Sequence, residues 1–271
     1  MGWKTPLARY VTVVLLIVSS MGISQAPLAV GPSPHSAYAV DWDGNLIEFD
    51  THTLEVRVIG PTLPFAGLDF RVSNGRLYGI TDGETPQLYW ISPETGEATP
   101  VAAVSFEQPL PGDVFGFDFN PASDRLRIVS DADANWRIDV GSGRLWRDGR
   151  LHYEDGKKAN IVAIAHGHNH GPSPREGTAP CYGIDALQDA LVLLDPPGDG
   201  VLRIVGPLGI DVGPLTHFDI AGHDTAYLVT VLPGERWSTL FEVNLETGRA
   251  RKVGQIRARG PLRAFALELE H

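Results

Sequence analysis

The chain of 271 residues sets 33 acidic side chains against 22 basic ones, for a net charge of −11. That balance argues against nucleic acid and anionic membrane as partners, since both recruit basic surfaces. One cysteine, Cys181, excludes an internal disulfide, so packing alone must hold the fold.

At the N-terminus, Lys4 and Arg9 precede an apolar run at 11–18 (VTVVLLIV) and a small-residue stretch at 21–26 (MGISQA). This order predicts a secretory signal over residues 1–26, with an uncleaved anchor as the alternative. The apolar run is short for a membrane span. Cleavage would remove two positive charges and no negative ones, and the mature chain would be secreted or periplasmic with no stable membrane insertion. Residues 27–35 read as a linker, and 36–269 as one domain.

Within that domain a pattern returns five times. The third strand of each unit and its turn read LIEFDTHTL (46–54), LYWISPETG (88–96), NWRIDVGSG (135–143), LVLLDPPGDG (191–200) and LFEVNLETG (240–248). A polar residue ends each strand: Asp50, Ser92, Asp139, Asp195 and Asn244. Gly96, Gly143, Gly200 or Gly248 closes the turn, and the first copy has Leu54 instead. Side chains of this kind bond the backbone two residues on, and glycine supplies the positive φ a tight turn needs.

The first strands repeat as well: GLDF (67–70), GFDF (116–119) and HFDI (217–220), with IVAI (161–164) and AFAL (264–267) placing Ala163 and Ala266 where the others have Asp. Second strands follow at 37–40, 76–80, 125–129, 181–184 and 226–229. Such a unit cannot bury its own apolar faces and must stack on copies of itself. The expectation is an all-β, five-bladed β-propeller with little helix. AYAV at 37–40 lacks a first strand before it, so AFAL at 264–267 should supply it and close the ring.

The stretches 116–143 (GFDFNPASDRLRIVSDADANWRIDVGSG) and 182–213 (YGIDALQDALVLLDPPGDGVLRIVGPLGIDVG), with 68–81 and 218–220, resemble the bacterial family called domain of unknown function 4394. The resemblance covers nearly all of 36–268. It implies an exported repeat protein and transfers no catalytic residues. HGHNHGPSPREGTAP at 166–180 departs from it.

Four constellations bear on chemistry or binding. Asp69, Asp118 and Asp219 share the inner-strand position, where carboxylates could hold Ca²⁺ or act as acid and base on a sugar bond. They could equally be scaffold groups that accept backbone N–H bonds from a neighbouring blade. His166, His168 and His170 alternate, and on an extended strand would share one face suited to Zn²⁺, with His152 or Asp185 as a further ligand; a solvated loop is the other reading. Asp131, Asp133 and Asn135 resemble half a calcium loop, yet Trp136 and Ser142 stand where the glycine and final glutamate belong, so a hairpin turn is favoured. Trp42, Trp136, Trp146 and Trp237 lie near turns or strand ends, either as ligand platforms or as filling between blades.

No nucleotide, nucleophile-elbow or HExxH signature is present, and no cofactor is predicted. The expected role is a monomeric binding or scaffold protein, with its site for an extracytoplasmic carbohydrate or protein at the channel mouth. A carbohydrate-active hydrolase or lyase using the inner aspartates is the alternative, and a metal-binding module the third.

Overall fold

A computed structural model describes residues 1–2, 35–83, 85–104, 106, 109–168, 179–222 and 224–269. The expected signal and most of the linker lie outside them. The propeller falls within the compact unit Ser33–His271.

Twenty strands form five four-stranded antiparallel sheets. Blade 1 holds β1 (Ser36–Val40), β2 (Asn45–Asp50) and β3 (Val56–Pro61). Blade 2 holds β4 (Phe65–Arg71), β5 (Arg76–Thr81), β6 (Leu88–Ile91) and β7 (Ala98–Pro100). Blade 3 holds β8 (Phe115–Asn120), β9 (Arg125–Ser130), β10 (Asn135–Ile138) and β11 (Leu145–Arg147). Blade 4 holds β12 (Ile161–His166), β13 (Cys181–Asp185), β14 (Ala190–Leu194) and β15 (Leu202–Pro207). Blade 5 holds β16 (Thr216–Ala221), β17 (Thr225–Thr230), β18 (Thr239–Val243) and β19 (Ala250–Gln255). The last strand, β20 (Ala264–Leu267), completes blade 1 by pairing with β1, Tyr38 opposite Ala266 and Val40 opposite Ala264. The inner strands β4, β8, β12, β16 and β20 contact one another in cyclic order, so the ring is closed as expected.

The buried apolar residues divide into five clusters, one at each blade boundary. Four boundaries contain a tyrosine of the second strand and an apolar residue of the next blade's inner strand. These pairs are Tyr38 with Phe70, Tyr78 with Phe119, Tyr182 with Ile220, and Tyr227 with Leu267. The first two stack edge-on or tilted at 5.3 and 5.2 Å between centroids. At the boundary of blades 3 and 4, Arg127 and His166 occupy these positions. Cys181 is fully buried in that boundary's apolar cluster, as an inert core thiol.

Turn chemistry follows the sequence. Oδ1 of Asp50, Asp139 and Asn244 accepts backbone N–H bonds from Thr53 (2.7 Å), Ser142 (2.9 Å) and Thr247 (2.8 Å). Gly96, Gly143, Gly200 and Gly248 take φ of 79°, 72°, 77° and 77°, and Leu54 takes 59° in the copy without glycine. Each turn also abuts the outer edge of the preceding blade. Gly60, Ala103, Gly149, Gly206 and Gly254 there approach Thr95, Gly143, Asp199, Thr247 and Leu54 too closely for a larger side chain on the glycine partner. This outer clamp runs around the whole ring, including the closing blade.

One register differs from the sequence reading. The residue across from the second-strand tyrosine in blade 4 is Ala165, opposite Tyr182, and not Ala163. The strand begins with a one-residue β-bulge between Ile161 and Ala163, as blade 2 does between Phe65 and Gly67, and of the two alanines in IVAIA the pairing selects the second.

The clamp generates a stability prediction. Gly143→Ala adds left-handed strain and drives a Cβ into the Ala103 carbonyl, whereas Gly75, at φ 66°, has open space around it. Urea unfolding should show a loss of about 1–2 kcal/mol for Gly75→Ala and about 3 kcal/mol or more for Gly143→Ala. Equal losses would show that the clamp carries no load.

Candidate functional site

Two places concentrate polar groups near the propeller axis. The first is the channel itself. Asp69 on β4, Asp118 on β8 and Asp219 on β16 are buried, at 4%, 3% and 3% exposure, and one carboxylate oxygen from each lies within 4.8 Å of the others. Each also reaches the next blade. Asp69 Oδ2 accepts the Phe119 N–H at 2.6 Å, Asp118 Oδ1 the His166 N–H at 2.9 Å, and Asp219 Oδ2 the Leu267 N–H at 2.7 Å. The scaffold geometry and the convergent geometry therefore coexist in the same three residues.

Burial pushes all three carboxyls upward, most simply seen at Asp219, which is raised to about 7. For Asp69, burial is reinforced by the charges of Asp118 and Asp219; for Asp118, by that of Asp219. Three like charges this close in a dry channel cannot all be ionised at low cost.

His166 ends β12, and its Nδ1 sits 2.5 Å from Asp118 Oδ1. Among the described residues its Nε2 is buried without a hydrogen-bond partner, as is Nε of Arg127 at the same blade boundary. Arg127 otherwise bonds Asn135, Asp148 (3.0 Å) and the Pro197 carbonyl (3.3 Å). This polar seam replaces the tyrosine–apolar pair of the other boundaries. Sequence reasoning overlooked it, although an Arg where other copies have Tyr was a signal.

The remaining candidates do not join the channel group. Among the described residues, the one set of three or more His, Cys, Asp or Glu side chains in mutual metal reach is Asp69, Asp118 and Asp219. The extended strand expected for the histidines stops at His166; His168 has φ 62°, and His170 lies outside the described residues. Asp131 Oδ1 accepts the N–H groups of Asp113 and Val114, Asp133 meets Arg150, and Asn135 is buried against Gly149 and Pro197. Those three side chains are spent on separate structural partners. Asp185 accepts bonds from Tyr153 and from three backbone N–H groups, and His152 Nδ1 meets the Arg150 carbonyl.

The second place is the channel mouth, at the end where the inner strands begin. A cavity of about 240 Å³ opens there, walled by Trp42 and Arg263 of blade 1, Asp82 of blade 2, Asp113 of blade 3 and His217 of blade 5, over a floor that includes Phe65 and Phe115. Below it the channel narrows to about 20 Å³. None of the three aspartates lines either space.

Trp42 rides on the β1–β2 hairpin. Asp41 Oδ1 fixes that turn through the N–H groups of Asp43 (3.0 Å) and Asn45 (2.9 Å). Arg263 lies 5.3 Å from the Trp42 ring centroid and 3.7 Å from Asp82. The other sequence-nominated tryptophans are also capped by guanidinium groups: Trp136 by Arg147, Trp146 by Arg125 and Arg144, and Trp237 by Arg257. Trp42, 52% exposed, is the one among them that stands out into solvent and lines the mouth. His217 Nε2 donates to the Leu262 carbonyl at 3.2 Å, which leaves Nδ1 as an acceptor. Burial lowers its pKa to about 4, so the ring is neutral near pH 7.

The sequence model of domain of unknown function 4394 matches residues 38–266, and the chain belongs to that family. No curated protein matches it. Among solved structures, the chain is similar to a structural-genomics protein of unknown function from Bacteroides thetaiotaomicron (12% identity, TM-score 0.49, covering 72% of this chain and 53% of that one). It is similar to an auxiliary nutrient binding protein from the same organism (12%, 0.48, 80% and 54%) and to TolB from Acinetobacter baumannii (14%, 0.45, 88% and 67%). The chain spans about half the length of the first two. Among the described residues, no helix is long and apolar enough to cross a membrane.

The aspartate group predicts a pH signature. A carboxyl whose folded pKa is raised binds more protons folded than unfolded, so its contribution to stability falls as pH rises toward the folded pKa. His217 acts in the opposite sense, but only below its unfolded value of 6.5. Above pH 6.5 the His217 effect is complete, so stability should fall through pH 7, where Asp219 titrates, by on the order of 1 kcal/mol. The triple variant Asp69→Asn, Asp118→Asn, Asp219→Asn keeps an oxygen for each backbone N–H and should remove the slope. An unchanged slope in that variant would contradict the raised carboxyls.

Proposed function

We propose that the chain is an exported, monomeric ligand-binding propeller whose site is the cavity at the channel mouth. The single observation that carries this reading is the meeting there of an exposed indole with charged and polar side chains from four blades. A concave site with an apolar platform and a few convergent polar groups is the usual form of a small-ligand pocket. Its walls come from segments fixed by the propeller frame, so the groups are preorganised. Export is supported by the basic, apolar and small-residue order of residues 1–26.

The same geometry weighs against an acid–base role for Asp69, Asp118 and Asp219. An acid or base must reach a proton on substrate. These carboxylates are buried below the cavity and bonded to neighbouring backbone. A scaffold role accounts for their burial and their bonds.

Saturation-transfer NMR with a pool of small sugars, amines and organic acids tests the site. The reading expects at least one binder whose signal is lost in Trp42→Ala and kept in Asp69→Asn. Binding that survives Trp42→Ala but vanishes in Asp69→Asn would move the site into the channel and refute the reading. Export is checked by the intact mass of the extracytoplasmic protein, which should correspond to a chain starting at Pro27.

A further inference from the structure

The polar groups of the mouth restrict what can occupy it. Asp82 and Asp113 contribute two carboxylates against one guanidinium, Arg263, which already faces Asp82 at 3.7 Å. An anionic ligand would meet net repulsion. A cationic ligand meets a different obstacle. The natural position for a cation is over the Trp42 ring, and Arg263 holds it at 5.3 Å. A purely apolar ligand would strip water from both carboxylates without replacing their hydrogen bonds.

A neutral polyhydroxylated ring fits all three constraints. Its hydroxyls donate to Asp82, to Asp113 and to the Nδ1 acceptor of neutral His217. They accept from the guanidinium of Arg263, which lines the cavity. Its C–H groups pack against the part of the half-exposed indole that the Arg263 guanidinium leaves open.

The dimensions narrow the choice further. The cavity of about 240 Å³ lies below the range of roughly 300–1,000 Å³ that takes drug-sized ligands. It ends blindly, because the channel beneath offers only about 20 Å³, room for little more than a water molecule. A chain threading through is therefore excluded. Resting on the reading of the mouth as the binding site, the geometry points to a single neutral sugar ring, free or at the end of a glycan, as its occupant.

Rigidity of the platform adds to this. Gly260 has φ 86°, and a Cβ there would press on the Trp42 Cβ. The hairpin and the close approach of Gly260 fix the Trp42 Cβ beside the mouth.

Titration calorimetry of the whole chain tests the assignment. The probes are neutral monosaccharides (glucose, galactose, xylose, arabinose, mannose), neutral oligomers of each, galacturonate as the anionic comparator and choline as the cationic one. At least one neutral sugar should bind saturably. Its affinity should fall tenfold or more in Trp42→Ala and in Asp82→Ala, and less in Trp42→Phe, which keeps a ring. Thermal melts of the variants confirm that each remains folded. Affinity should level off from monomer to oligomer, since one residue enters. Affinity that climbs steadily with oligomer length would overturn recognition of a single ring. Binding of galacturonate or choline alone, lost in Trp42→Ala, would overturn the sugar while leaving the mouth as the site. Failure of every probe class here and in the mixed pool would overturn both.

Discussion

A buried carboxylate that accepts an amide proton from the neighbouring blade is the contact on which the centre of this ring depends. It recurs at Asp69, Asp118 and Asp219, each bonded one inner strand further on. The bond does two things that apolar packing cannot. It satisfies a strand N–H that faces the channel and has no ladder partner on that side. It also fixes the axial height of one blade relative to the next, since a hydrogen bond near 2.6–2.9 Å tolerates little sliding. The cost is three acids in one dry space, and proton uptake offsets it. At the periphery the glycine clamp performs the matching task, with each tight turn seated on the outer edge of the blade before it.

This division leaves the mouth free for variation. The inner aspartates and outer turns hold the frame, while the β1–β2 and β5–β6 connections, the loops before β8 and β20 and the start of β16 bring Trp42, Asp82, Asp113, Arg263 and His217 to one cavity. A propeller can change such groups without disturbing its ring, which is how one architecture supports unrelated ligands. The seam between blades 3 and 4 departs from that economy. Arg127 and His166 there replace a tyrosine–apolar pair and, among the described residues, leave two buried nitrogens without partners. Asp118, Asn135 and Asp148 compensate for most of the polarity.

The frame was legible because its causes are local. Asp50, Asp139 and Asn244 announce turns by their own chemistry, and the Gly that follows announces a positive φ. Ring closure was legible because AYAV at 37–40 visibly lacked a partner that AFAL at 264–267 could supply. Spacing failed where local geometry intervened. IVAIA carries alanines at both 163 and 165, and the register takes Ala165 as the aspartate equivalent, which sets His166 against Asp118 rather than on a metal-binding strand. The clamp glycines were missed because Gly60, Gly149, Gly206 and Gly254 matter only through a turn in the next blade. Of the mouth residues, only Trp42 had been singled out. Asp82, Asp113 and Arg263 are ordinary loop residues until the ring brings them together.

The most direct test of the interblade role is amide hydrogen exchange at Phe119, His166 and Leu267. If the aspartates latch the blades, these amides exchange only on global opening, and Asp118→Ala accelerates His166 far more than the other two. Fast exchange at all three in the unmodified protein, or no selective change at His166 in the variant, would contradict the account.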